Sequence, residues 1–156
     1  MLEGHPNIWS HADHDADVRE IERFLSALSQ SKDAEQFNKH FARDIAWGSP
    51  TGYVIAGLDA LHAIHQRFFV GPSNGFSSRF LLENIAFLDS SLAVAHVRRI
   101  TLDPTGRAVP PEARLGSPVL HEVAMYVFVK RENAWWLAAG QNTPVYRPPS
   151  DFRDAP

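Results

Sequence analysis

At 156 residues, with 44% hydrophobic and 21% charged side chains, the chain is sized for one domain and is too apolar for disorder. A net charge of -3 gives no basic surface for nucleic acid, and no apolar run reaches the ~20 residues of a membrane span. The absence of cysteine excludes disulfides, thiol catalysis and thiolate metal sites.

Residues 1–20 carry His and Asp where a signal peptide needs a basic and then apolar start, so a cytoplasmic setting is expected. Residues 1–16 show no apolar period and read as a flexible arm. Its histidines, His5, His11 and His14, are irregularly spaced, which suits a solvated tract better than a metal site. From Asp17 the pattern changes, and Val18, Ile21, Leu25 and Leu28 fall on one face of a first helix with Phe24 beside them. Asp33 can cap a short second helix in which Phe37 and Phe41 stack four apart, ending near Asp44.

Gly48, Pro50 and Gly52 break the next stretch into two short apolar pieces, the pattern of a tight hairpin. Gly57 opens a third helix with Leu61, Ile64 and Phe68 at helical spacing, and Gly71-Pro72 stops it. Beyond it the period becomes two. Strands are expected over residues 79–87, 92–102, 119–130 and 135–142, separated by turn residues. Helices followed by strands indicate an α+β domain, with helices packed on one side of an antiparallel sheet. The domain spans 17–147, and residues 148–156, without periodicity, read as a disordered tail.

The order of these elements, with FARDIAW, the G-x-x-A-L-x-x-I-H-Q-x-F-F of residues 57–69, LAVAHV and the closing WWLAAGQNT, resembles the SgcJ/EcaC branch of the SnoaL-like, NTF2-like superfamily from Val18 to Val145. The resemblance implies a cone of three helices across a strongly curved sheet enclosing an apolar cavity, usually in a dimer. It does not fix a reaction, because members include isomerases, dehydratases, cyclases, epoxide hydrolases and noncatalytic association domains. Ser49 falls where the isomerase-like members carry an Asp base, and a serine without an activating partner cannot accept that proton. Gln141 and Asn142 end the last strand where the cyclases use a histidine and an aspartate, and an amide does not titrate. The epoxide hydrolases need an Asp-Arg-Asp array, and Arg98 and Arg99 lack two suitably placed aspartates. No catalytic residue, cofactor or metal site is therefore assigned.

What remains is a ligand-binding set. His65 borders the buried stripe of the third helix. Its alternative is a core-edge histidine with one satisfied nitrogen. His96 and Arg98 share a strand face with Leu92, Val94 and Ile100, which gives His96 a lining role and lets Arg98 reach the rim. Trp47 and Tyr53 offer flat surfaces to a planar ligand. A turn of two or four residues at Glu132 and Asn133 would pair Lys130 with Trp135 and place Glu122, Tyr126 and Phe128 on the face of Leu137 and Gln141. A turn of three would bring His121, Val123, Met125 and Val127 there instead. Both faces of this strand are apolar, so one is expected to line the cone and the other to lie in a homodimer interface. The function expected is binding of a mostly apolar or polyketide-like small molecule, with weak acid/base activity at most. The alternatives are a noncatalytic association domain and, behind it, a metal site formed by His65, His96 and His121 or Glu122. The proline-stiffened loop 103–118 is either a lid or partner contact, or a plain insertion.

Overall fold

The computed structural model describes residues 4–71, 75–110 and 121–145. Three helices, α1 (Asp15–Gln30), α2 (Ala34–Asn38) and α3 (Leu58–Val70), accompany six strands: β1 (Phe41–Gly48), β2 (Val54–Ala56), β3 (Ser77–Asp89), β4 (Leu92–Leu102), β5 (Glu122–Arg131) and β6 (Ala134–Pro144). The strands form one sheet in the order β2-β1-β6-β5-β4-β3, antiparallel throughout except that β1 runs parallel to β6. Register shifts in the β1-β6, β3-β4 and β5-β6 pairs bend the strands, and the sheet curves around the helices as a cone.

The apolar stripe of α1 explains its seat. Ile21, Phe24, Leu25 and Leu28 are all buried, each such side chain contributing about 1.5–3 kcal/mol of apolar transfer. Polar ties fix its ends. Asp17 Oδ1 accepts from Lys130 Nζ at 2.8 Å and Trp135 Nε1 at 3.0 Å, and Ser29 Oγ accepts from the Phe80 amide at 3.0 Å. The arm is shorter and better anchored than its composition suggests, since the helix already begins at Asp15. His14 stacks on Phe87 with centroids 4.1 Å apart and meets Ser10 at 3.0 Å, while the Ser10 amide donates to the Phe87 carbonyl. The expected tail lies outside the described residues, as does the loop 103–118 from residue 111 onward. The first part of that loop folds back on β4, with the Val109 amide on the Thr101 carbonyl and Asp103 Oδ1 accepting from the Thr105 and Arg107 amides.

Asp33 caps α2 as expected, accepting from the Gln36 amide at 2.8 Å, but the helix stops at Asn38 and Phe41 opens β1. The aromatic pair survives the change, with Phe37 and Phe41 centroids 5.7 Å apart across the helix-to-strand junction. On α3 the buried side also differs. Leu61 is 1% exposed, but Ile64 and Phe68 are 38% and 64% exposed, because the inward line runs from Leu61 to His65.

Candidate functional site

Bulky aromatics and small residues alternate across the inner wall. Ala93, Ala95 and Val97 of β4 and Ala124 of β5 are nearly inaccessible, leaving room for Phe24, Phe128 and Tyr126 to meet edge to face. Trp47 points inward from β1 and lies over Gly140, where a Cβ would come within 2.3 Å of its ring. Its centroid is 5.7 Å from that of Tyr126.

Two polar groupings interrupt this wall. On β4 and β5, Arg99 donates from Nη1 to Glu122 Oε2 at 3.1 Å and from Nε to Ser78 Oγ at 2.9 Å. Its guanidinium carbon lies 5.6 Å from the Phe68 ring centre and 6.0 Å from that of Phe80. Between the helices, Asn38 is 4% exposed and bridges two imidazoles, with His65 Nδ1 at 2.7 Å from its Oδ1 and His62 Nδ1 at 2.9 Å from its Nδ2. An amide oxygen only accepts, so His65 carries its proton on Nδ1 and keeps Nε2 as a lone-pair acceptor. His62 in turn accepts at Nδ1 and lines an open groove of about 980 Å³ between α2 and α3.

Burial governs the ionisation here. It pushes His65 down to about 4, helped by the charge of Arg99 and by His62, so the ring is neutral at pH 7. The Glu122 carboxyl is pushed up by burial against the opposing pull of Arg99, and the Tyr126 hydroxyl is pushed up by burial and by Glu122. The assembly is a neutral base, a carboxyl pushed up by burial and a cation paired with it, all set in an aromatic interior.

Of the eight residues expected to line the cavity, Trp47, His65, Glu122 and Tyr126 share this interior. The β5-β6 turn has two residues, Glu132 and Asn133, both at positive φ, and Lys130 pairs with Trp135, so Glu122 rather than His121 faces inward. Four residues are misplaced by the sequence reading. Tyr53 is 73% exposed beside the β1-β2 turn. His96 and Arg98 lie on the outer face with Val94 and Ile100, since the small residues Ala93, Ala95 and Val97 take the inner one, and Arg98 is occupied by an ion pair with Glu83. Gln141 also points outward. The register slip at Val127/Phe128 admits Ala138 as an extra residue, so Leu137 and Gly140 face in while Gln141 pairs with Met125 and covers Gly48. With His96 on the opposite face from His65 and Glu122, the three-ligand metal arrangement does not form, and no group of three potential ligands occurs among the described residues.

Sequence reasoning missed Arg99, Ser78, Asn38 and His62. The parity of β4 was the available signal for Arg99: alternation with Ala93, Ala95 and Val97 places it inside, with one partner carboxylate in Glu122. Ser49, at the isomerase base position, spends its hydroxyl on the turn, accepting from the Tyr53 amide at 2.9 Å.

No family model and no curated protein matches the chain. Solved structures do match it. An uncharacterized protein with a cystatin-like fold from Caulobacter vibrioides superposes with a TM-score of 0.66 at 22% identity, covering 88% of this chain and 94% of the other. A candidate dehydratase of the NTF2-like family from Streptomyces avermitilis gives 0.62 at 17% identity, over 86% of this chain and all of the other. A candidate calcium/calmodulin dependent protein kinase II association domain from Xanthomonas campestris gives 0.60 at 12%, over 90% and 96%. The fold is thus the NTF2-like α+β cone, and at such identities function has to be argued from the site. No helix among the described residues is long and apolar enough to cross a membrane.

Proposed function

We propose that the chain is a small-molecule-binding domain of the SnoaL-like, SgcJ/EcaC type, holding a mostly apolar, polyketide-like ligand inside the cone, with weak acid/base activity at most. The observation that carries this reading is the Arg99-Glu122 pair within an aromatic wall. A buried ion pair adds little to stability, and apolar replacements of similar volume are often neutral or stabilising. A binding pocket, by contrast, needs a few convergent polar groups on an apolar lining, together with titratable residues of perturbed pKa. Trp47 and Tyr126 supply the flat wall, Glu122 and His65 orient ligand oxygens, and the neutral Nε2 of His65 is the group able to take a proton. A cytoplasmic setting belongs to the same proposal.

A thermal-shift screen of planar apolar compounds tests it. A compound at a hundred times its Kd would stabilise the fold by about 2.7 kcal/mol, a shift of several degrees. Glu122→Gln with Tyr126→Phe should weaken that compound. Gln141→Leu, on the outer face, should leave its binding unchanged. The alternative, a noncatalytic association domain, is favoured by the apolar outer face of Val94, Ile100, Val123, Met125 and Val127. It would prevail if no compound shifted the melting temperature while the protein remained an assembled dimer.

A further inference from the structure

Arg99 uses only part of its hydrogen-bonding capacity. A guanidinium presents five N–H donors in one plane, and the bonds to Ser78 and Glu122 are the ones it makes with described residues. Glu122 shows the converse. Its side chain is 4% exposed, Oε2 is bound by Arg99, and Oε1 is buried without a hydrogen-bond partner. A buried carboxyl oxygen left unpaired is costly, about 1–3 kcal/mol or more, and native structures rarely keep one without a use. A cation with spare donors therefore sits beside an acid with a spare oxygen, and the rings of Phe68 and Phe80 flank the guanidinium.

Resting on the binding function proposed above, we propose that Arg99 and Glu122 form the head-group subsite of the cone and that the ligand class is a carboxylic acid on a planar apolar body. One ligand oxygen accepts from the free guanidinium N–H groups, and the other shares a proton with Glu122 Oε1. That proton is taken up from solvent as the ligand binds, and the burial that pushes the Glu122 carboxyl up favours its uptake. A neutral ketone would reach Arg99 but could not charge-match it. A second anion is tolerable there because a shared proton leaves one net negative charge between the two carboxyls, opposite the one guanidinium.

The test compares 2-naphthoate with 2-acetylnaphthalene, a neutral probe of nearly the same shape, by calorimetry near neutral pH. The expected result is a preference for naphthoate of roughly tenfold or more, the least that one charge-assisted hydrogen bond gives. Arg99→Met alone would strand Glu122 and could unfold the protein, so Arg99→Met is combined with Glu122→Leu, and retained folding is checked by thermal melting. That double variant should bind the two probes equally. An independent readout is the His65 imidazole resonance, because the Arg99 charge is one cause of its low pKa. Naphthoate should move its titration upward, and acetylnaphthalene should not. Equal binding of both probes to the parent, or a preference surviving in the double variant, would overturn the carboxylate subsite while leaving the cone a binding pocket. Failure of both probes to bind at millimolar concentration would overturn the subsite and the pocket together.

Discussion

Burial without a counter-charge decides the ionisation of His65, and this has a thermodynamic consequence with a definite sign. An unfolded histidine titrates near 6.5, whereas the folded ring is held at about 4. As pH falls below 6.5 the unfolded chain takes a proton that the folded chain refuses, so stability declines until about 4, where both states are protonated. At about 1.36 kcal/mol per pKa unit the loss is roughly 3 kcal/mol at most. Glu122, pushed the opposite way, binds its proton more readily when folded and offsets part of the decline. The difference between parent and His65→Gln isolates the histidine: urea midpoints should fall more steeply with acid in the parent. A titration of His65 near 6.5 by NMR, or parallel acid limbs, would remove the assignment. Asn38 shows how the sequence concealed this site. It is an ordinary polar residue at the end of a five-residue helix, and its bonds to His62 and His65 span 24 and 27 positions. No local pattern encodes such a contact.

Single strands show why the faces were harder to read than the elements. Helical and alternating periods gave α1, α3 and β3 to β6 to within a few residues, because each follows from local spacing, whereas β1 begins at Phe41, inside the stretch read as the second helix. Choosing the inner face of β4 required knowing that the helices press on alanines rather than on Leu92, Val94 and Ile100. The outward turn of Gln141 depends on one extra residue, Ala138, in β6. Two glycines put this geometry to the test. At Gly140 a Cβ would meet the Trp47 ring at 2.3 Å, and that indole is packed between Phe41 and Tyr126. Gly140→Ala should therefore cost about 1–3 kcal/mol through overpacking and disturb the inner wall. At Gly48 the obstacle is the far end of the Gln141 side chain, an exposed amide that can swing into water. Gly48→Ala should cost well under ~1 kcal/mol. Chemical denaturation of the two variants decides the matter: equal costs, or the reverse order, would mean that Trp47 and Gln141 are not on opposite faces.

For the whole molecule, the outer surface of the sheet is the unfinished part. Val94 and Ile100 of β4 and Val123, Met125 and Val127 of β5 make a shared apolar surface, with Met125 47% exposed in the isolated chain. Patches of this kind are seldom left in water, and a two-fold axis would let the same strands of two copies cover each other. The polar members fit an interface of this type: Arg98 is already neutralised by Glu83, and His96 and Gln141 keep hydrogen-bonding capacity for a facing copy. Light scattering should therefore give about twice the 17.5 kDa mass of the chain at micromolar concentration. Met125→Glu would place a charge at the centre of that surface, where desolvation makes it costly, and should yield a folded monomer. His65 supplies the control, because it lies on the inner side: its titration should be the same in the monomeric variant as in the parent. A parent that scatters as a monomer, or a Met125→Glu protein that stays dimeric, would place the contact elsewhere or abolish it.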